Sequence, residues 1–216
     1  YICGRRQVKL DETAAELTAL HAKDSGGKIV GMACDIRDAD AIHAMVDAIW
    51  ADGGALTGVV NNAAGNFISR TEDLSPRGFD AIANIVFRGS FFVTLECGKR
   101  WIAEGKKASV ISILTTWVWN GGPFTVPSAM SKAGLNVMTQ SLAVEWGPKG
   151  IRFNAIAPGP FPTEGAWSRL IGLEPRRGDR TSGYLVTVVF GQLCQIRWNL
   201  ERSGLTRTAV IDLVCF

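Results

Sequence analysis

The stretch GVVNNAAG at residues 58–65 decides the fold. Its first three residues form a short apolar run, which is typical of a strand buried in a parallel sheet. A turn of small residues follows at the carboxyl end of that strand, where ligands bind in open α/β sheets. Small side chains would allow a bound nucleotide to lie close to the backbone. An ordinary Asn/Gly turn is the alternative interpretation.

Apolar runs alternate with helical patterns on both sides of this stretch. Strands are predicted at residues 1–3, 28–34, 108–114 and 151–157. Helices are predicted at residues 10–20, 38–51, 78–106 and 128–146. Near-continuous apolar strands that alternate with helices predict a parallel sheet covered on both faces. The expected fold is therefore a single α/β domain with a doubly wound, Rossmann-like sheet.

Composition excludes several classes of function. The chain is 47% hydrophobic and 20% charged, which indicates a globular protein. Its net charge of +3 is too small to favour nucleic acid as a partner. No run of 18 apolar residues occurs, so we expect no membrane span. With His21 and His43 as the only histidines, neither a histidine-centred metal site nor a Ser-His-Asp triad is expected.

The cysteines indicate a reducing compartment. Their number is odd, their positions are scattered, and they form no CxxC pair. These features predict reduced thiols and a cytoplasmic location. The cysteines are Cys3, Cys34, Cys97, Cys194 and Cys215.

Both ends of the chain depart from the expected pattern. A dinucleotide-binding domain begins with a strand, a Gly-rich turn and a helix, but no such turn precedes Cys3. We therefore expect the domain at residues 1–171 to lack its first βα unit of roughly 30 residues, and with it a central strand. Residues 172–216 contain six arginines, no lysine and no clean helical stripe. A non-native tail is the favoured interpretation of this segment.

Four motifs in order resemble the short-chain dehydrogenase/reductase family over residues 1–171. Asp35 in CDIRD resembles the family's aspartate that meets the adenine amino group. NNAAG resembles its NNAG element, and APGP at residues 157–160 resembles its PG turn beside the nicotinamide. Lys132 resembles its ribose-binding lysine. The cofactor-binding residues that this resemblance implies are Asp35, Ile36, Asn61, Ala63, Gly65, Lys132, Pro158, Gly159 and Thr163.

The nucleotide preference is predicted from two cations. Arg5 and Arg6 follow the first strand, and no acidic residue occurs before Asp11. A cation at this position can pair with the 2′-phosphate of NADP, whereas NAD-dependent enzymes place an acid there for the ribose hydroxyls. We therefore expect NADP(H) as the cofactor. The alternative is a solvated basic turn.

The segment Ser128-Ala129-Met130-Ser131-Lys132 indicates which branch of the family the chain resembles. Most of the family has Tyr-x-x-x-Lys here, and a serine hydroxyl is a far weaker acid than a phenol. Ser-x-x-x-Lys resembles the 2,4-dienoyl-CoA reductases. The resemblance implies that a hydride from NADPH reaches the far end of a conjugated dienoyl thioester and that a proton is then added near the thioester. Ser128 would donate to the thioester oxygen, although capping of the helix is the alternative role.

Neighbouring residues both support and weaken this assignment. Thr115 occupies the family's hydroxyl position on the preceding strand, or it satisfies its own backbone. Trp117 stands where the mitochondrial type of reductase has its proton-donating tyrosine, and Arg88 replaces an asparagine. Arg88 is interpreted either as an anion-binding residue or, slightly preferred, as a solvated helix residue. Trp117, Trp119 and Phe124 either wall an acyl pocket or pack their own loop.

Three functions remain open at this point. The first is an enoyl-thioester reductase of the dienoyl-CoA kind, with an acyl-CoA as substrate. The resemblance also implies a homo-oligomer, because the two long helices commonly form a dimer interface in the family. The second is a carbonyl reductase, or a dehydrogenase acting on a small alcohol, which Ser128 in place of tyrosine disfavours. The third is a non-catalytic fragment or an interaction module on a reductase scaffold, which the absent Gly-rich turn and the atypical tail favour.

Overall fold

The computed structural model describes residues 1–22, 26–159, 185–190, 195–199 and 214–215. Its described strands form one sheet in the order β2-β1-β8-β3-β4-β5-β6-β7. They are β1 (Ile2–Gly4), β2 (Gly31–Ala33), β3 (Gly58–Asn61), β4 (Ala108–Ile113), β5 (Ile151–Ala157), β6 (Leu185–Phe190), β7 (Gln195–Asn199) and β8 (Val214–Cys215).

Helices connect the parallel strands. The α-helices are α1 (Gln7–Leu17), α2 (Ala39–Gly53), α3 (Pro76–Ala83), α4 (Ser90–Glu104), α5 (Trp117–Asn120) and α6 (Val126–Trp146). A π-helical turn, Asn84–Gly89, joins α3 to α4, and another, Thr18–Ala22, extends α1. Short 3₁₀ turns lie at Thr71–Asp73 and Gly147–Lys149. The predicted α/β class with a doubly wound sheet is confirmed.

Helix α2 shows how the sequence specifies an element. The Asp38 side chain accepts hydrogen bonds from the backbone N–H groups of Asp40 and Ala41, and so caps the helix. The buried stripe contains Ile42 with Met45, Val46 and Ile49. Ala41 is partly buried and packs against the same core.

The centre of the sheet differs from expectation. We expected a missing central strand between β1 and β3. Strand β8 instead lies there and runs parallel to both neighbours, with Val214 opposite Ile2 on one side and Val60 on the other. Its backbone pairs with strand edges that would otherwise present unpaired N–H and C=O groups inside the sheet.

The far edge of the sheet is antiparallel. Strand β6 runs antiparallel to β5, and β7 runs antiparallel to β6. The described residues of the predicted tail, 172–216, are therefore strands, and its remaining residues lie outside the described part of the chain. That the tail is non-native stays a prediction.

Close contacts between glycines and aromatic rings pack the long helices together. A Cβ on Gly98 of α4 would lie 2.2 Å from the ring of Trp146 at the end of α6. A Cβ on Gly134 of α6 would lie 2.7 Å from the ring of Phe87. Since real side-chain atoms do not approach so closely, both positions require glycine for these helices to pack as they do.

The helical stretch Pro76–Glu104 bears on the membrane expectation. Within the described residues it is the one helix that is long enough and apolar enough to cross a membrane by length and composition. Core helices pass the same test. Val86, Val93 and Trp101 of this stretch are fully buried in the hydrophobic core, where they pack with strand residues such as Val59. Their burial accounts for part of the apolar composition, whereas Phe87 and Phe91 of the same stretch are exposed.

Candidate active site

The predicted site residues meet at one edge of the sheet. Strands β1, β3, β4 and β5 are mutually parallel through their pairing partners. Their carboxyl ends therefore lie at the same edge, where ligands bind in open α/β sheets. Arg5, Asn62, Thr115 and Pro158 follow these ends closely. Helix α6, which packs against β4 and β5, brings Lys132 to this region.

Lys132 is the most strongly perturbed charged residue at this edge. Its side chain is buried, and its Nζ atom donates to the backbone carbonyl oxygen of Ile113, 2.5 Å away. Burial lowers the pKa of Lys132 from 10.5 to about 8, because removal from water disfavours the ammonium form. A buried lysine beside the end of a strand, at a ligand-binding edge, is a candidate for a functional role.

Ser128 lies one helical turn before Lys132 and is buried, with 8% of its surface exposed. It is the third residue of α6, whose N-cap is Thr125. The alternative that Ser128 caps this helix is therefore wrong, because the cap position lies three residues earlier. Ser131, by contrast, has an intrahelical partner, since its hydroxyl donates to the carbonyl oxygen of Pro127 at 2.7 Å.

The loop after β4 contributes Thr115 and Trp117. Thr115 is half-buried, and its carbonyl oxygen accepts the N–H of Val118 at 3.2 Å as α5 begins. The indole of Trp117 lies against Gly122, where an added Cβ would approach the ring to 2.8 Å. Trp117 therefore packs its own loop, which is one of the two interpretations given above for the aromatic cluster.

A cavity of about 450 Å³ opens beside the end of β1. Three of its lining residues, Arg5, Arg6 and Lys9, are basic, and Ala64 of the NNAAG turn borders it. Arg6 is the N-cap of α1, so the free N–H groups of that helix start at the same place. Positive charge and a helix N-terminus together favour an anion. The other lining residues are Ile2, Gly4, Leu10 and Thr13.

Lys9 is a basic residue of this site that the sequence alone did not identify. It lies on the first turn of α1, so the helix carries it to the cavity that Arg5 and Arg6 line. Its Nζ atom is 2.6 Å from the Glu12 carboxylate in an exposed ion pair. Lys9 lies just before the helix predicted at residues 10–20, so the available signal was its spacing of three residues from Arg6, which places both on one face once the helix begins a turn earlier.

Asp35 is already paired within its own turn. The guanidinium of Arg37 binds the Asp35 carboxylate through Nε, at 2.9 Å and 3.0 Å, and through Nη2. The backbone N–H of Arg37 donates to the same carboxylate at 3.0 Å. These hydrogen bonds hold the pKa of Asp35 below its usual range, so the carboxylate stays ionised. An adenine amino group would add one more donor.

Arg88 ties the Asp35 turn to the long helical stretch. Its Nη1 atom donates to the carbonyl oxygen of Arg37 at 2.6 Å, and its guanidinium lies 4.8 Å from the centre of the Phe92 ring. Gly89 next to it allows the backbone of Ile36 to approach, since an added Cβ would lie 2.9 Å from the Ile36 oxygen. Arg88 is exposed, as the preferred interpretation of a solvated helix residue predicted, and it is in addition bonded to the Asp35 turn.

The NNAAG turn divides its residues between core and edge. The Asn61 side chain is 1% exposed and donates to the hydroxyl oxygen of Thr94 on α4 at 2.9 Å. It therefore faces the helix layer, and any contact with a cofactor would come from its backbone. Ala63 is buried, and Gly65 is partly exposed, with Ile82 within reach of an added Cβ at 3.5 Å.

Two further predicted residues follow β5. Pro158 and Gly159 are partly exposed and begin directly where the strand ends. They are therefore at the same edge as Lys132 and Thr115. Thr163 lies outside the described residues.

Known proteins resemble this chain closely. A family model described as Enoyl-(Acyl carrier protein) reductase matches residues 7–174. A protein named probable 2,4-dienoyl-CoA reductase 3, (3E)-enoyl-CoA-producing, from Caenorhabditis elegans is 47% identical over 174 residues, which cover 80% of this chain and 55% of that protein. The chain thus spans about half the length of the curated relatives it matches.

Solved structures share the fold. A short chain dehydrogenase from Bacillus anthracis is 41% identical, with a TM-score of 0.68 over 74% of this chain and 65% of that one. A gluconate 5-dehydrogenase from Burkholderia cenocepacia, solved in complex with NADP and tartrate, is 25% identical, with a TM-score of 0.68 over 77% of this chain and 64% of that one. The family model, the relatives and the motif order agree, and the chain belongs to the short-chain dehydrogenase/reductase family.

Proposed function

We propose that the protein reduces conjugated 2,4-dienoyl-CoA thioesters with NADPH. The observation that carries this proposal is the pair Ser128 and Lys132 on α6, buried at the carboxyl edge of the sheet, with serine in the position where most of the family has tyrosine. The relative from Caenorhabditis elegans supports it, because its name describes a 2,4-dienoyl-CoA reductase that yields a (3E)-enoyl-CoA. The reaction would therefore act on a carbon–carbon bond.

The residues present fit a phosphorylated dinucleotide. Arg5, Arg6 and Lys9 line one anion-binding site after β1, and the Asp35 turn follows β2, the strand that pairs with β1. Lys132 would hold the ribose hydroxyls through its Nζ atom, near the end of β4. When bound, NADPH supplies the hydride that is added to the far end of the diene. Its preference over NADH is proposed from the three cations, because a 2′-phosphate gains charge-assisted hydrogen bonds from them.

Ser128 has a role that this chemistry requires. Addition of hydride to the far end of the diene moves electron density through the conjugated system to the thioester oxygen. A hydroxyl that donates to that oxygen stabilises the dienolate, and protonation of the carbon next to the thioester then gives the 3-enoyl product. The nearby ammonium of Lys132 adds a positive field in surroundings that exclude water. Both groups stabilise the negative charge on the thioester oxygen. A serine can do so by donating a hydrogen bond, which does not require a strong acid.

Exposed apolar side chains support a homo-oligomer. Phe91 on α4 and Met130, Val137 and Val144 on α6 are at least 38% exposed, and Phe87 lies between the two helices. Large apolar side chains grouped on neighbouring helices favour burial against another surface. We propose that two copies pack through these helices. Buried Cys34 and Cys97 form no disulfide within the described part of the chain, which supports the proposal of a reducing, cytoplasmic location.

A substrate comparison tests the proposed reaction. The oxidation of NADPH is followed with a 2,4-dienoyl-CoA, a 2-enoyl-CoA and a 3-oxoacyl-CoA of equal chain length. We expect oxidation with the dienoyl thioester and little with the other two. Activity on the 3-oxoacyl substrate alone would assign a carbonyl reductase. No activity on any of them, with the protein folded and NADPH bound, would indicate a non-catalytic scaffold.

A further inference from the structure

Phe124 has an unusual backbone conformation. Its φ angle is +62°, and it is the one residue other than glycine with a positive φ in the described part of the chain. The left-handed region brings the Cβ atom too close to the following carbonyl, so bulky residues adopt it rarely. Glycine would be more stable here, as Gly121 shows three residues earlier with a φ of +66°. The aromatic side chain is therefore kept at an energetic cost.

The surrounding residues hold this conformation in place. The carbonyl oxygen of Phe124 accepts the backbone N–H of Ser69 at 3.0 Å, which joins the loop after β3 to the loop after β4. The next residue, Thr125, is buried and donates through Oγ1 to the carbonyl oxygen of Gly122 at 3.2 Å. Contacts on both sides of Phe124 thus fix its backbone, as is required for strain to persist in a folded protein.

Packing of the Phe124 side chain within the protein does not offset the backbone strain, because only half of the side chain is buried. It is 50% exposed. Its neighbours on the two joined loops are also large, apolar and exposed: Phe67 at 38%, Ile68 at 45% and Trp119 at 42%. Strain at an apolar residue that is half-exposed, where two loops of the candidate site meet, is explained if another apolar surface packs against its side chain.

The location identifies that surface. Phe124 directly precedes the N-cap of α6, and Ser128 lies on the first turn of the same helix. A thioester whose oxygen meets Ser128 would project its acyl chain out of the polar edge toward these loops. We propose that Phe124 is a specificity-determining residue, which contacts the acyl chain of the substrate and thereby favours longer chains. This inference rests on the proposed reaction and adds which residue selects among dienoyl thioesters.

Backbone-compatible variants separate the side chain from the turn. Phe124→Gly and Phe124→Asn both suit a left-handed residue, and both remove the ring. Phe124→Tyr keeps the ring. Leu20→Ala, which removes another exposed apolar side chain, on the π-helical turn after α1, is the matched control. Each protein is assayed with hexadienoyl-CoA and decadienoyl-CoA, and the ratio of kcat/KM for the long substrate to that for the short one is compared.

We expect the Gly and Asn variants to lose about 16-fold in this ratio, since contact with two methylene groups is lost at roughly four-fold each. Phe124→Tyr and Leu20→Ala should keep the wild-type ratio, and Phe124→Gly should unfold at no lower temperature than the wild type. An unchanged ratio in the Gly and Asn variants would overturn the inference.

Binding of saturated acyl-CoAs distinguishes this inference from the reaction itself. Hexanoyl-CoA and decanoyl-CoA are titrated against each variant, which reports the acyl contact without turnover. A wild-type protein that oxidises no NADPH with any diene, yet binds the longer acyl-CoA more tightly through Phe124, would refute the reaction and keep the acyl contact. Equal binding of both acyl-CoAs by the wild type would refute the contact.

Discussion

The Nζ atom of Lys132 lies 2.5 Å from the backbone carbonyl oxygen of Ile113, which joins α6 to the carboxyl end of β4. This hydrogen bond satisfies one of the three donors of the buried ammonium. It also fixes the lysine at the edge of the sheet where Thr115 and Pro158 lie. Because burial lowers the pKa of Lys132 to about 8, its charge depends on pH in an accessible range.

The first prediction concerns that charge. If positive charge on Lys132 supports turnover, then kcat should fall as pH rises through about 8, because the lysine loses its proton there. Binding of an anionic cofactor would move this midpoint upward, since nearby negative charge favours the ammonium. A pH profile of kcat at saturating NADPH measures it. A profile that stays flat up to pH 10 would contradict the proposed role.

The stability of the cofactor-free protein should show the opposite trend. The folded-state pKa of Lys132 is lowered, so between pH 8 and 10.5 the unfolded chain binds more protons than the folded one. The contribution of Lys132 to the free energy of unfolding should therefore rise over that window, by up to about 3 kcal/mol. Chemical denaturation of the wild type and of Lys132→Met, at several pH values, isolates this term. If the free energy of unfolding depends on pH in the same way for both proteins, burial does not lower the pKa of Lys132.

The sequence predicted most of the fold because the strands and helices differ in hydrophobic periodicity. The ends of β3 and β5 fall where the apolar runs end. The strand predicted at residues 28–34 is shorter, Gly31–Ala33, because pairing with β1 rather than apolar composition sets its length. Leu20 continues the helical spacing of Leu10, Ala14 and Leu17 but is 63% exposed, since the helix changes to a π-helical turn there. Local spacing does not report such a change.

Candidate site residues could be predicted where they belong to a short sequence motif. They could not be predicted where contacts between residues far apart in the sequence position the side chain. Lys132 was predicted because Ser-x-x-x-Lys at residues 128–132 resembles a family motif that lies within one helix. The pairing of Arg88 with the Arg37 carbonyl joins residues 51 positions apart, which no local pattern indicates. The inward side chain of Asn61 depends on Thr94 of another element in the same way. Strand β8 pairs with β1 across nearly the whole chain.

Arg88 provides a test of how the Asp35 turn is held. Arg88→Ala removes a hydrogen bond of 2.6 Å to the Arg37 carbonyl, together with the contact to Phe92. We expect the dissociation constant for NADPH to rise about 5- to 10-fold, equivalent to about 1–1.5 kcal/mol for one lost hydrogen bond. Arg77→Ala, an exposed arginine of α3, is the control and should leave binding unchanged. Equal effects of the two changes would exclude a positioning role.

Cation deletion tests the nucleotide preference. The double variant Arg5→Gln, Arg6→Gln should weaken the binding of NADPH by about 10-fold or more and leave NADH nearly unchanged, because only NADPH has the 2′-phosphate. Adding Lys9→Gln should weaken it further. Arg152→Gln on β5 serves as a control for net charge. Fluorescence titration of both cofactors decides, and equal losses for NADPH and NADH would refute the assignment.

Two glycines test the packing of α4 on α6. Gly98→Ala places a Cβ 2.2 Å from the Trp146 ring, so the helices must separate or the indole must move. We expect a loss of about 1–3 kcal/mol in the free energy of unfolding. Gly147→Ala meets nothing within 4 Å and has helical φ and ψ, so it should be neutral or stabilising by up to about 1 kcal/mol. Thermal and urea unfolding compare the two, and a neutral Gly98→Ala would refute this packing.

Ser128→Ala separates a role of the hydroxyl in turnover from a role in folding or cofactor binding, when kcat for a 2,4-dienoyl-CoA and the dissociation constant for NADPH are measured on the same preparation. The hydroxyl is buried on the first turn of α6 but does not occupy its N-cap, so its loss should leave the helix intact. We predict that kcat falls by about 10²–10³, as for the loss of one oxyanion donor, while NADPH binds as before. Full turnover of the diene by Ser128→Ala would contradict the account.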